Sequence, residues 1–227
     1  IIIGAGIYVL IGEATKEAGG IVWLAFLLAA VLCVLTGLSY AELSSAFPSV
    51  ASEYAYTQRA FPEWVAFLVG WVMVTGLIVA GATVSLGFGR YAGQFLGVDP
   101  KPAALALLAG LLVIGVSGIR QAGALMLVLS SIQVLGLVAV IAIGLPSLGD
   151  HSLTASHGVG GVIGGAALVF FAFIGFDEVI TLSEETPDPV RTVPRALLVS
   201  LGIATVLYVA TAVAAVSAIG AHALAVS

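Results

Sequence analysis

What constrains this chain most is where its charges are absent. Five stretches hold no Asp, Glu, Lys or Arg: Ala18 to Ala41 (24 residues), Trp64 to Gly89 (26), Pro102 to Ile119 (18), Gln121 to Gly149 (29) and Ala196 to Ala221 (26). A helix needs ~20 apolar residues, each rising ~1.5 Å, to cross the hydrocarbon of a bilayer. All five are long enough, the shortest barely. Two further apolar stretches contain glycine, Ile1 to Gly12 and Gly158 to Phe176. With them seven spans are expected, at about 1–16, 20–46, 64–96, 102–118, 122–146, 158–183 and 194–220. A membrane β-barrel would need segments of about ten residues alternating in polarity, whereas Ile21 to Leu35 is apolar on every face. The fold class read from this pattern is an all-α transmembrane helix bundle.

Composition closes off the alternatives. Charged residues make up 8% of the chain against about 25% in soluble domains, too few to cover a water-facing surface. The net charge of -5 offers no basic patch for nucleic acid. Cys33 is the sole cysteine, so no intrachain disulfide can form. The longest loop, roughly Pro146 to His157, is too short for a soluble domain, which leaves a single transmembrane domain over 1–227. The first residue, Ile1, already lies in an apolar segment with no basic n-region before it. The chain therefore reads as truncated at both ends. Basic residues in short loops set orientation: Arg59, Arg120, Arg191 and Arg195 fall on one side, and Lys16, Lys101 and Arg90 on the other. The paired arginines after the sixth span tilt the reading toward a cytoplasmic N-terminal side, in a multi-pass protein of the cell membrane.

Proline and glycine punctuate the spans. Pro48 is expected to end the second helix, Pro62 to precede the third, Pro100 and Pro102 the fourth, and Pro187, Pro189 and Pro194 to separate the sixth from the seventh. Gly89, Gly93 and Gly97 recur every four residues, as do Gly161 and Gly165, the spacing of a close helix-packing face.

Two spans carry a place to open. Ile3-Gly4-Ala5-Gly6-Ile7 sets two glycines within the first span, and glycine costs ~1 kcal/mol against alanine in a helix. The sixth span ends Phe170-Phe171-Ala172-Phe173-Ile174-Gly175-Phe176 before the adjacent acids Asp177 and Glu178. An opened turn survives in lipid only when it is buried in protein or lines a polar cavity. Freed amides near Ala5, Gly6 and Ile7, at the positive end of a helix dipole, suit a carboxylate. Freed carbonyls near Phe170 to Phe173 suit an ammonium group. The two together describe an amino acid zwitterion, in first and sixth spans related as inverted repeats would relate them. Glycines serving only close packing are the competing reading.

The blocks Ile3-Gly4-Ala5-Gly6-Ile7-Tyr8, Ser39-Tyr40-Ala41-Glu42-Leu43 with Phe47-Pro48, and above all Phe170 to Leu197 resemble the amino acid-polyamine-organocation superfamily. The likeness is greatest to bacterial amino acid permeases related to the cationic amino acid transporters. It implies a transporter of five-plus-five inverted repeats, usually twelve helices, of which this chain supplies seven. It implies carboxylate binding by Gly4, Ala5, Gly6 and Ile7, with alanine where serine is frequent. It also implies amino-group binding at the broken sixth helix, an aromatic over the substrate at Phe171, and Ala172, Phe173 and Ile174 nearby. Asp177 matches an acid that some members carry past the break. Where many relatives place a lysine on the fifth helix this chain has Gln133, whose amide does not titrate. That leaves proton coupling without this carrier, and Gln133 to brace the first helix by hydrogen bonds.

Among other polar residues, Asp177 and Glu178 are candidates for a gate or proton site, against solvated charges in a vestibule. Glu42 reads as interfacial. Glu184, Glu185, Asp188, Arg191 and Arg195 read as a solvated connector, or alternatively a salt-bridged gate. His151 and His157 share a loop with Asp150 but have no third firm ligand for a metal. The expected function is a secondary amino acid transporter, symporter or antiporter, with no enzymatic activity, metal or cofactor and with a small-molecule substrate in a lipid bilayer. Ile3, Met73, Phe171 and Phe173 favour a neutral or hydrophobic substrate, while Asp177 or Glu178 suits a cationic one. A polyamine or organic amine permease of the same fold and a seven-helix receptor are the rivals.

Overall fold

A computed structural model describes residues 2–47, 52–154, 157–182 and 186–226 of the chain. Its described residues form helices: α1 (Ala5–Ala18), α2 (Val22–Ala46), α3 (Ser52–Ala60), α4 (Glu63–Leu96), α5 (Pro100–Val116), α6 (Ile119–Gly144), α7 (Gly158–Phe173), α8 (Glu178–Thr181), α9 (Pro189–Ile219) and α10 (Ala221–Ala225). Among the described residues, five segments are long and apolar enough to cross a membrane: Val22–Ala46, Glu63–Leu96, Arg120–Ser147, Gly158–Thr181 and Pro189–Ile219. The protein is an all-α multi-pass membrane bundle. Of the other two expected spans, α5 is an apolar helix of 17 residues and α1 has 14.

The helix limits follow local chemistry. Asp99 caps α5, its carboxylate accepting from the Lys101 amide at 3.0 Å, with Pro100 in the first turn. There its missing N–H costs nothing. Gly97 ends α4 in the left-handed conformation that suits glycine. The helix expected from 194 starts at Pro189 instead and carries Pro194 inside it, because Pro189 is pre-set for a first turn and Pro194 removes a single rung near the start. The short polar helix α3 had no apolar run to announce it. Pro48, expected to end α2, lies outside the described residues; α2 itself closes at Ala46 with Phe47 as its cap.

The chain divides into two compact units, 53–128 and the remainder. In the smaller one α4 and α5 pack closely. A Cβ on Gly89 would collide with the Pro100 carbonyl, and one on Gly93 would lie 3.1 Å from the Val98 carbonyl oxygen. These glycines form the packing face their spacing suggests. Trp64, Phe67 and Trp71 stand exposed at the start of α4, aromatic side chains of the kind that sit at bilayer interfaces.

In the larger unit α2 lies against α7 and α9, and α1 against α7. Phe26, Phe173, Leu197, Leu201 and Tyr208 are among its largest buried side chains, with buried alanines at 14, 18, 25 and 29. Gly161 meets the Glu17 carbonyl, and Gly165 meets Ala14, Ala18 and Ala25. Small residues at four-residue spacing thus bring α7 onto α1 and α2.

Candidate functional site

Contacts at both ends fix the direction of α1 against α7. At one end Gly161 and His157 meet the last turn of α1, and the His157 Nδ1 lies 3.0 Å from both the Lys16 and Glu17 carbonyl oxygens. At the other end a Cβ on Gly6 would lie 2.9 Å from the Ala172 Cα. The helices are antiparallel, so the N-terminus of α1 and the C-terminus of α7 stand side by side. The 14 residues of α1 cover about 21 Å at ~1.5 Å each. The paired termini therefore lie deep below the polar face marked by the Lys16–Glu13 ion pair.

On the α1 side, Ile3 and Gly4 are non-helical and the helix begins at Ala5. Gly4 is the N-cap and makes no side-chain cap hydrogen bond. A glycine cap has no side-chain oxygen, so the first amides of α1 receive no acceptor from it. Beside Gly4 the space is open, a Cβ there meeting nothing within 4 Å. Gly4 and Gly6 are half-buried and Ile7 is buried, its side chain in the core.

On the α7 side the helical ladder runs out at Phe173. The Ile174 amide turns back to the Phe171 carbonyl at 3.2 Å, and the Gly175 amide goes to the Asp177 carboxylate at 3.1 Å. Residues 174–177 are non-helical, Gly175 at φ 113, before α8 resumes at Glu178. Ala172 and Phe173 are buried, Phe170 is half-buried, and Phe171 and Ile174 are exposed. Phe171, the aromatic expected over a substrate, has 64% of its surface free. Phe173 instead packs edge-on against Tyr208, ring centroids 5.0 Å apart.

Tyr208, on α9, escaped the sequence reading. Fully buried, its hydroxyl is 3.0 Å from the Ile2 carbonyl oxygen and 3.0 Å from that of Ala172. One side chain thus reaches a main-chain acceptor in the non-helical segment before α1 and another in the last turn of α7. Its only sequence signal is that a phenol within an apolar span needs a partner.

The other candidates are placed as follows. Gln133 is half-buried on α6, and Tyr8 donates a 2.8 Å hydrogen bond to it. The acceptor is the backbone carbonyl of Gln133, so the hydrogen bond between α6 and α1 at this residue is made by its main chain. Gln133→Leu is accordingly expected to leave the melting temperature within about 2 °C, while Tyr8→Phe, losing a bond worth ~1 kcal/mol, lowers it by about 2–4 °C. Thermal unfolding in detergent checks both, and a larger loss in the Gln133 variant would show that the amide matters.

Asp177 and Glu178 are half-buried, and Glu42 is exposed. Met73 is half-buried on α4, in the smaller unit. Arg191 and Arg195 are exposed on the first turns of α9. Glu184 and Glu185, needed for a salt-bridged gate, lie outside the described residues. His151 turns its Nδ1 to the Ser217 carbonyl at 2.9 Å. Both loop histidines thus serve helix C-termini, each Nδ1–H donating to a carbonyl.

Comparison with known proteins bears on this arrangement. A family model described as "Amino acid permease" matches residues 1–227. The branched-chain amino acid permease BcaP of Bacillus subtilis is 34% identical, over 92% of this chain and 50% of its own length. The vacuolar cationic amino acid transporter 4 of Arabidopsis thaliana is 29% identical, over 98% of this chain and 42% of its own. The methylthioribose transporter of Bacillus subtilis is 31% identical, over 92% and 50%. The chain spans about half the length of these relatives, or somewhat less. They are permeases and transporters, not enzymes.

Proposed function

We propose that this chain, which belongs to the amino acid permease family, is part of one transmembrane transporter domain of five-plus-five inverted-repeat architecture that carries amino acids across the cell membrane, its N-terminal side cytoplasmic. The observation that carries the reading is the pairing of opposite helix ends: the amide end of α1 beside the carbonyl end of α7, deep in the bundle. Each end bears the equivalent of about half a unit charge, positive at the first and negative at the second. In a low-dielectric interior such a pair favours a small solute with a carboxylate at one end and an ammonium at the other.

The residues take separate roles in this proposal. Amides of Ala5, Gly6 and Ile7, with Gly4 leaving room, receive the carboxylate. Carbonyls of Phe170, Phe171 and Phe173 receive the ammonium. Phe171 and Ile174, exposed at the break, close over the substrate, with Ile3 a further pocket residue. The α1 and α7 segments rock together in alternating access, as the first and sixth spans of an inverted repeat. A relative named for methylthioribose favours a second reading, in which the same openings bind an uncharged polar solute through hydroxyls.

Asp177 is the proposed proton carrier, with Glu178 beside it and Gln133 unable to titrate. The test is uptake of labelled amino acids by the whole gene product in liposomes, with and without a pH gradient. Saturable uptake of L-leucine or L-arginine is expected, and accumulation of neither amino acid would end the amino acid reading. Asp177→Asn keeps an acceptor for the Gly175 amide while removing the charge, and is expected to flatten the pH dependence of uptake. An unchanged profile would dismiss Asp177 as the carrier.

A further inference from the structure

Tyr208 holds two carbonyls with a single proton. A phenol carries one O–H, yet its oxygen lies 3.0 Å from the Ile2 oxygen and 3.0 Å from the Ala172 oxygen. Both are acceptors in or beside non-helical backbone, where a buried carbonyl without a donor costs free energy comparable to a lost hydrogen bond. The ring is fixed independently of the hydroxyl. It packs edge-on against Phe173 at 5.0 Å and against Phe26 at 6.0 Å, from α7 and α2 respectively. The oxygen therefore stands where α9 places it, and the two carbonyls are held to it.

The geometry points to Tyr208 as a positioning residue for the proposed substrate site, an inference that rests on the amino acid reading above. Its hydroxyl sets the start of the chain and the end of α7 at one separation, so that the α1 amides and the α7 carbonyls face a common solute. It takes the Ala172 carbonyl for itself, leaving the ammonium to neighbouring carbonyls of the last turn. The two bonds can be kept together only while Ile2 and Ala172 stay close. The hydroxyl thus favours the arrangement in which both halves of the site are present.

Tyr208→Phe tests this in the whole gene product in liposomes, with L-leucine and L-arginine as probes. The ring contacts stay, so the variant is expected to remain folded and to show a KM raised about tenfold with Vmax within about twofold of wild type. Replacing Tyr208 with 4-aminophenylalanine restores a donor at the same place and is expected to restore KM. A merely structural tyrosine would lower the amount of active protein, and so Vmax, without moving KM. A folded Tyr208→Phe protein with wild-type KM overturns the inference while the amino acid reading stands. Uptake of neither probe by wild type removes both. Should Tyr208→Phe not accumulate in the membrane, the 4-aminophenylalanine protein decides alone: KM at or below wild type supports the role, and KM tenfold above it overturns it.

Discussion

Gly6→Val is expected to reduce amino acid uptake about a hundredfold while leaving the protein inserted in the membrane. The reason is the approach of two backbones. The Cβ of any residue at position 6 would lie 2.9 Å from the Ala172 Cα and 3.1 Å from its Cβ, and a main-chain atom cannot swing aside as a side-chain tip can. The first turn of α1 must then move away from the last turn of α7. A misplacement of about 1 Å in a binding constellation can cost ~10²-fold, since amides and carbonyls would no longer face one solute. Gly4→Ala is the control: its added Cβ meets nothing within 4 Å, and its extended backbone at φ -140 accepts alanine without strain. That variant is expected to melt with wild type. Initial rates per reconstituted protein, with size-exclusion profiles to establish insertion, make the measurement. Uptake at the wild-type rate by Gly6→Val would sink the proposed site, whereas a polydisperse Gly4→Ala protein would show that this segment tolerates no substitution.

How much of this was legible beforehand depends on what sort of signal each feature leaves. Long uncharged runs predict α2, α4 and α6 to within a few residues, because the bilayer demands length and apolarity together. Glycine followed by adjacent acids marks the end of α7, since a helix stopping in lipid must leave polar chemistry behind. The two openings are separated by over 150 residues, and nothing local says that Gly6 faces Ala172. That follows only once the small residues of α7 have been laid antiparallel on α1. Tyr208 was illegible for another reason. Within Val206 to Ala212 it reads as one more apolar residue, and its hydroxyl acquires meaning from carbonyls at Ile2 and Ala172, which are far away in sequence. Gln133 was singled out by its side chain, yet the bond at that position is made by the main chain, which sequence identity cannot reveal. The helix α3 carries the polar run SEYAYTQRA, and a search for apolar length passes over such a segment.

The packing that brings the openings together has its own test at the far end of α7. Gly161 lies so close to α1 that an added Cβ would run into the Glu17 carbonyl, with the His157 Cβ 3.1 Å away. Gly161→Val is expected to lower the melting temperature in detergent by about 5–10 °C, because overpacking typically costs 1–3 kcal/mol and neither neighbour here is a flexible side-chain tip. It also displaces the Lys16 and Glu17 carbonyls from His157 Nδ1, removing a tie at the polar face. Gly160→Val, one residue earlier on an exposed position where a Cβ meets nothing within 4 Å, carries the same loss of glycine and gain of a β-branch without the collision. It is expected to melt within about 2 °C of wild type. If the two variants were equally destabilised, valine's helix propensity and not the α1–α7 contact would be responsible, and the antiparallel pairing that sets Gly6 against Ala172 would lose its support. If only Gly161→Val melts early and its uptake falls as well, the contact at one end of the helix pair is coupled to the binding geometry at the other. That coupling is expected if the two helices move as one element whose far termini form the proposed site.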